Sequence, residues 1–225
     1  MAARKVKQGL PGETAQHRRA RNSLLRAEIG LRRQTEAVAA QRRRLPLGAV
    51  VSEDYEFDGA TGKVRLSELF TPGKRTLFVY NFMYPKEPDV DEACPSCTSI
   101  IDAVDGAARH AVQRINFAVV AKTPLEKFQR HARKRGWKHV QLLSSAENSF
   151  NRDYRAEMEG GQQLPLAHIF VKRGRKIHHQ WSSELFFATP DPGQDMRHVD
   201  FMWPLWSILD LTPEGRGRFH VELAY

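Results

Sequence analysis

The segment "DEACPSCTSIIDAV", Asp91 to Val104, carries both cysteines of the 225-residue chain, Cys94 and Cys97, set three positions apart across Pro95 and Ser96. Upstream, "RTLFVYNFM" (Arg75 to Met83) is a compact aromatic and β-branched run that suits a buried central strand. A loop with Pro85, Pro88 and four acids then delivers the chain to Cys94. From Pro95 or Ser96 onward, Ile100, Ile101, Val104, Ala107, Ala108 and Ala111 recur on one side at helical spacing. The cysteine pair therefore stands at a helix start, directly after a buried strand.

Working outward, "INFAVVA" (Ile115 to Ala121) reads as a second buried strand. Thr123 and Pro124 start a helix, "LEKFQRHARKRG", that stops at Gly136. Val140 to Ser144 is a third strand, and "LPLAHIFVKRGRKIHHQW" (Leu164 to Trp181) is a hairpin turning at Arg173-Gly174. A last helix is expected over Val199 to Leu209. On the N-terminal side, "YEFDGATGKVRLSELF" gives two short strands around a turn at Gly59 to Gly62, then a helical turn at Ser67 to Phe70. From Thr14 to Arg44 there is no proline, and Leu24, Ala27, Leu31 and Val38 form a thin apolar stripe at helical spacing, until Pro46 and Gly48 break the pattern. Strand, CxxC helix, strand, helix, hairpin and closing helix is the thioredoxin order, βαβ followed by ββα. The expected fold is thus α/β and thioredoxin-like, a central mixed sheet flanked by helices, over residues 46–225, with a basic helical arm over residues 1–45.

Residues 1–44 hold 12 Lys/Arg against 3 Asp/Glu, while residues 45–225 hold 23 of each sign. The whole excess of +9 lies in the arm, so the body is not a basic nucleic-acid surface. The arm's stripe needs a surface to cover, either the body or a second copy of the chain, which makes the N-terminal helix the expected site of any homo-oligomer. The longest apolar runs are strand-sized, which excludes a membrane helix, and the basic start has no apolar region behind it as a secretory signal would. A cytoplasmic, reducing setting is expected, where CxxC spacing points to a cycling redox pair or part of a metal site.

A dithiol that exchanges disulfides needs one accessible thiolate and a second thiol near enough to resolve the mixed disulfide. At a helix start, Cys94 occupies the cap, where unpaired N–H groups and the helix dipole favour a thiolate, and Cys97 lies one turn inside. Cys94 is the expected nucleophile and Cys97 the resolving thiol. Glu87, Asp89, Asp91 and Glu92 lie just upstream and oppose ionisation, so dipole and acids compete. Two buried fillers beside a proline at a helix start are a weaker reading. So is zinc, which needs four ligands; His178 and His179 are adjacent and would point to opposite faces of a strand. A peroxidatic site is the sharper rival, because the "TGKVRLSELF" hairpin resembles that of peroxiredoxins. Their motif sets a Pro and a Thr or Ser seven and three positions before the reactive cysteine; here those positions hold Glu87 and Asp91 counted from Cys94, or Val90 and Cys94 counted from Cys97. No metal and no organic cofactor are expected.

The ordered blocks "QRRRLP", "DYEF", "LSELF", "VYNFMY", "CPSC", "TPLEKF", "RGW", "LLSSAENSFNRDY" and "LDLTPEGRG" resemble a bacterial family catalogued as domain of unknown function 899, from about Arg42 to Gly217. After the hairpin, "HHQWSSELFFATPDPGQD" departs from that family's usual Tyr-Ser-Thr-Tyr-Ala-Arg-Gly-like segment. The resemblance implies a thioredoxin-like fold and a dithiol-disulfide oxidoreductase activity on a protein or small-molecule disulfide or thiol. The alternatives are a thioredoxin-fold binding or scaffold module without turnover, and a peroxiredoxin-like thiol peroxidase. In thioredoxin-like folds a cis-proline faces the CxxC; Pro165 is the matching position, so Pro95, Ser96 and Pro165 are the expected groove residues. His168 reads as a structural histidine and "FMWPLW" (Phe201 to Trp206) as core, while Trp181 and Ser182 are expected beside the groove.

Overall fold

The computed structural model describes residues 10–194 and 200–224; the first nine residues of the basic arm and Val199, the expected start of the last helix, lie outside them. The chain divides into two compact units, Met1–Pro46 and Leu47–Tyr225. The first contains α1 (Ala15–Arg44). Thr14 Oγ1 accepts the His17 N–H at 3.1 Å, capping the helix, and Glu13 pairs with Arg21 at 2.6 Å. Arg42, Arg43 and Arg44 sit where the dipole favours cations.

The second unit runs β1 (Glu56–Gly59), β2 (Gly62–Arg65), β3 (Thr76–Phe82), α2 (Pro95–Ala111), β4 (Asn116–Ala121), α3 (Leu125–Arg135), β5 (Gln141–Ser144), α4 (Phe150–Asp153), β6 (Ala167–Arg173), β7 (Lys176–Ser182) and α5 (Pro204–Leu209). Its seven strands form one mixed sheet in the order β2-β1-β5-β4-β3-β6-β7. β3 runs parallel to β4 and antiparallel to β6, and β4 runs parallel to β5. The β4-β3-β6-β7 quartet with α2 and α3 is thioredoxin-like.

Strand alternation divides the core into two layers. Tyr80 and Phe82 of β3 and Phe117, Val119 and Ala121 of β4 meet Ile100, Ile101 and Ala108 of α2 and Phe128 of α3. Leu77, Val79, Ala118 and Val120 point the other way, onto Tyr55, Phe57, Leu66 and Phe150. β3 and β4 are apolar on both faces because both faces are covered, which is why they read as continuous runs.

Two boundaries differ from the sequence reading. Arg173 pairs with Lys176, so the hairpin turns at Gly174-Arg175, one residue later than expected, with Gly174 in the left-handed region at φ 59°. The last helix begins only at Pro204, because a proline is accommodated in the first turn and not inside a helix.

Asp105, on α2 and 8% exposed, ties the helix layer together. Its carboxylate accepts the backbone N–H groups of Lys138, His139 and Val140 at 2.8–3.1 Å, so α2 holds the loop that feeds β5. Asp105→Ala would leave those donors without their acceptor. Stability should fall by about 2–3 kcal/mol, read as a melting temperature lower by about 5–10 °C. A change within about 0.5 kcal/mol would mean that water replaces the carboxylate.

Candidate dithiol site

The site is built where β3 hands the chain to α2. Met83 C=O accepts the Cys94 N–H at 3.0 Å, fixing the end of the strand to the start of the helix. Cys94 is the helix cap, with extended backbone at φ −63°, ψ 124°, and Pro95 takes the first helical position. The Cys94 carbonyl accepts the Thr98 N–H at 2.9 Å and the Thr98 hydroxyl at 2.9 Å. Cys94 is half-buried, while Cys97, one turn inside, is 1% exposed.

The two thiols are pushed apart electrostatically. The Cys97 thiol donates to the Cys94 sulfur and is the largest influence on it; the backbone N–H groups of Cys97 and Ser96 and the charge of Lys86 add to it. Against the opposing effect of burial, these bring Cys94 down to about 6. Burial and the neighbouring Cys94 push Cys97 well up, opposed by the Tyr80 hydroxyl, which donates to its sulfur at 3.3 Å. The upstream acids are partly offset: Lys86 pairs with Glu92 at 3.4 Å, and Lys127 pairs with Asp91. The competition posed by the sequence falls on the side of the thiolate, chiefly through the Cys97 S–H and then the N–H groups of the helix end.

Beneath the cap, Thr98 Oγ1 lies 3.1 Å from His131 Nε2. The single hydroxyl hydrogen of Thr98 is already committed to the Cys94 carbonyl, so His131 donates, from Nε2. Burial, then Arg135, holds His131 below its ordinary range, and its ring packs among Phe82, Tyr84 and Trp137.

A cavity of about 590 Å³ opens over the pair, and Cys94, Ser96, Cys97 and Pro165 all line it. Pro95 is not part of its wall and serves the first turn of α2. The cis expectation for Pro165 is corrected: the cis bond among the described residues is Tyr84–Pro85. The segment through Pro165 is held extended on both sides, by Leu164 N–H on Ala156 C=O (2.8 Å) and Asn81 N–H on Leu166 C=O (2.7 Å). Trp181 and Ser182 do not border the cavity either. Trp181 packs edge-on against Phe201 at 5.8 Å, and Ser182 lines a second cavity, of about 520 Å³, with Tyr55 and Tyr154.

The sequence reading missed the far wall. Trp203, Trp206, Arg216 and Phe219 come from the C-terminal segment and line the cavity together with Gln163 and Leu164. Trp203 Nε1 donates to Ser99 Oγ on α2 at 3.1 Å, and Arg216, 8% exposed, is gripped by Asp200 and Asp210 through four bonds of 2.8–3.0 Å. The density of tryptophan in "FMWPLW" was the available signal; its core reading holds for Trp203, 4% exposed and packed in the α2 layer, which lines the cavity as well. Among the described residues, no group of three or more His, Cys, Asp or Glu side chains is arranged to hold a metal ion. No described helix is long and apolar enough to cross a membrane.

Sheet order, register and the capped cysteine pair define a thioredoxin-like dithiol domain. The chain belongs to DUF899, a family of bacterial proteins of unknown function, whose family model matches residues 8–223. No curated protein matches the chain. Among solved structures it is similar to the peroxidoxin BcpB from Mycobacterium tuberculosis, at 19% identity over 71% of this chain and 95% of the other, with a TM-score of 0.45. It is also similar to the exposed lipoprotein thioredoxin Etrx1 from Streptococcus pneumoniae (17% identity, 57% and 90%, TM-score 0.41). A third likeness is to a secreted Mycobacterium tuberculosis disulfide oxidoreductase homologous to Escherichia coli DsbE (12% identity, 66% and 92%, TM-score 0.40). All three TM-scores lie below 0.5, so the fold assignment rests on the sheet order and register.

Because the thiolate is the nucleophile, the rate of Cys94 alkylation by iodoacetamide should rise with pH and be half-maximal near about 6. An unstructured thiol gives a midpoint near about 8.5. A midpoint in that higher range for reduced, folded protein would show that the helix cap does not stabilise the Cys94 thiolate.

Proposed function

We propose that this protein is a cytoplasmic thiol-disulfide oxidoreductase, in which Cys94 attacks a disulfide of a protein or small molecule and Cys97 resolves the product, with no metal or organic cofactor. The observation that carries this reading is the stacking of two sulfurs at one helix end: a half-exposed Cys94 receiving N–H and S–H donors, over a buried Cys97. Cys94 thiolate attacks R–S–S–R′, forming Cys94–S–S–R and releasing R′S⁻, which takes up a proton. Cys97 thiolate then attacks the Cys94 sulfur and expels RS⁻. Two electrons have passed to the substrate, and the enzyme is left as the Cys94–Cys97 disulfide.

Timing follows from the charges. Burial first, and then the hydrogen bond and charge of the Cys94 thiolate, hold the proton on Cys97. Once Cys94 is in the mixed disulfide that charge is gone, and the Tyr80 hydroxyl remains to stabilise a Cys97 thiolate. The resolving thiol thus ionises more readily after attack than before it.

Cys97→Ser should accumulate a mixed disulfide at Cys94, seen by intact-mass spectrometry, and Cys94→Ser should abolish both attack and trapping. Trapping confined to Cys94→Ser reverses the roles. Folded protein in which neither thiol reacts leaves the scaffold reading in front, and hydrogen peroxide oxidation orders of magnitude faster than that of a free thiol favours the peroxidase.

Tyr80→Phe keeps the ring and removes only the donor to Cys97. Resolution of a preformed mixed disulfide at neutral pH should slow about tenfold, the value of one hydrogen bond to a developing thiolate. Attack by Cys94 should change far less. Equal slowing of both steps would indicate a packing defect and not a role in resolution.

A further inference from the structure

Resting on the dithiol reading, we infer that the cavity over Cys94 takes a small aromatic disulfide and not an extended polypeptide. The first ground is the backbone beside the cysteines. A disulfide in a peptide can bind by adding a strand to a free edge. One edge of the segment leading to Pro165 is already taken over residues 162–164, the edge that carries the Leu164 N–H: Met158 N–H bonds Gln162 C=O at 2.9 Å, Glu157 bridges Gln163, and Leu164 N–H bonds Ala156 C=O at 2.8 Å. Its continuation at Leu166 is bonded to Asn81 of β3. The chain has thus paired residues 156–158 along one edge on which a peptide could otherwise add.

The second ground is how the wall's polar groups are engaged. Gln163 Oε1 accepts from Asn151 Nδ2 at 2.8 Å, and Gln163 Nε2 donates to Gly161 C=O at 3.0 Å. Asn151 is held in turn by Asn81 and Ser145. Arg216 is occupied by two carboxylates. With Gln163 and Arg216 engaged internally, the rings and aliphatic side chains carry the apolar share of recognition, beside Ser96, Gln162, Arg218 and His220, which also line the cavity. Trp203 and Trp206 meet edge to face at 4.9 Å, and Trp206 meets Phe219 at 6.3 Å, making a continuous aromatic wall in a cavity that Met83 and Ile100 also line. The volume, about 590 Å³, is that of a site for a small organic molecule.

The step follows the chemistry above. Cys94 thiolate bonds one sulfur of Ar–S–S–Ar and releases ArS⁻; Cys97 then displaces the second ArS⁻, and a small dithiol reductant returns the pair to the reduced state. Aromatic thiolates leave readily from any thiol's attack, so the relevant quantity is a ratio of ratios. Rates for 4,4′-dithiodipyridine and for bis(2-hydroxyethyl) disulfide are each divided by the rate for free 2-mercaptoethanol, with dithiothreitol as the recycling dithiol in turnover assays.

The expected preference for the aromatic probe is about tenfold or more beyond intrinsic reactivity, and Trp206→Ala should reduce it by about the same factor. Phe219→Ala, at an exposed rim position, gives a smaller loss in the same direction and serves if Trp206→Ala does not fold. Insulin, a protein disulfide, should be reduced much more slowly than the aromatic probe. A normalised preference near one, a preference that survives both variants, or insulin reduction matching the aromatic probe overturns the inference while leaving the oxidoreductase reading intact. If Cys94 reacts with none of the three disulfides, the oxidoreductase reading itself fails, and the inference with it.

Discussion

The site depends on β3 being bonded along both edges. Parallel pairing with β4 and antiparallel pairing with β6 leave the strand no solvent edge, so its side chains must satisfy two buried layers at once. Leu77 and Val79 supply one layer, and Tyr80 and Phe82 the other. The two polar side chains admitted here each make one bond: the Tyr80 hydroxyl donates to Cys97, and Asn81 Nδ2 donates to Asn151 at 3.0 Å, while Asn81 Oδ1 finds no partner among the described residues. A buried polar group costs stability unless it is bonded, so each fixes its partner's position as firmly as its own. In this way a strand that looks merely hydrophobic sets the height of the resolving sulfur and anchors the polar wall of the cavity.

Magnitudes decide how Cys94 becomes acidic. An exposed helix end is worth about 0.3–1 kcal/mol toward a nearby anion. That is too little to bring a half-buried thiol with four upstream acids down to about 6. Directed donors supply the rest, foremost the Cys97 S–H and then the N–H groups of Cys97 and Ser96. Lys86 contributes its charge while engaged with Glu92, so the acidic loop brings its own counter-ion. The same hydrogen bond that lowers one thiol raises the other, and a single contact thereby separates nucleophile from resolver.

Local patterns were legible and long-range ones were not. The CxxC at a helix start, the two buried strands and the stop at Gly136 all rest on spacing within a few residues, and Gly136 does take the left-handed conformation that ends α3. The adjacent His178 and His179 do diverge, His178 to the Gly48 carbonyl and His179 to His168. His168 is buried as a structural residue and held neutral, down to about 3, chiefly by desolvation, though its Nε2 finds no partner among the described residues. The cis expectation at Pro165 came from the fold resemblance; the bonds that hold its neighbours, to the Ala156 carbonyl and the Asn81 amide, are distant in sequence and unmarked by composition. Asp105 was equally silent: one acid on a helix gives no sign that it will collect three backbone donors from a loop over thirty residues away.

The far wall of the cavity shows why such a feature escapes periodicity and yet is well determined. Arg216 is nearly buried, and a buried charge is tolerated only when its partners are in place. Asp200 precedes α5 and Asp210 follows it, so gripping Arg216 requires the whole stretch from 200 to 216 to fold back on itself. That same fold stacks Trp206 beside the guanidinium at 5.6 Å and brings Trp203 to Ser99 on the cysteine helix. Removing either aspartate leaves the nearly buried Arg216 with half its partners, and removing Arg216 leaves two partly exposed carboxylates facing each other, so the three groups support the wall together. The chemistry of the two sulfurs is local to one helix end, but the shape of what reaches them is decided by an ion triad more than a hundred residues further along the chain.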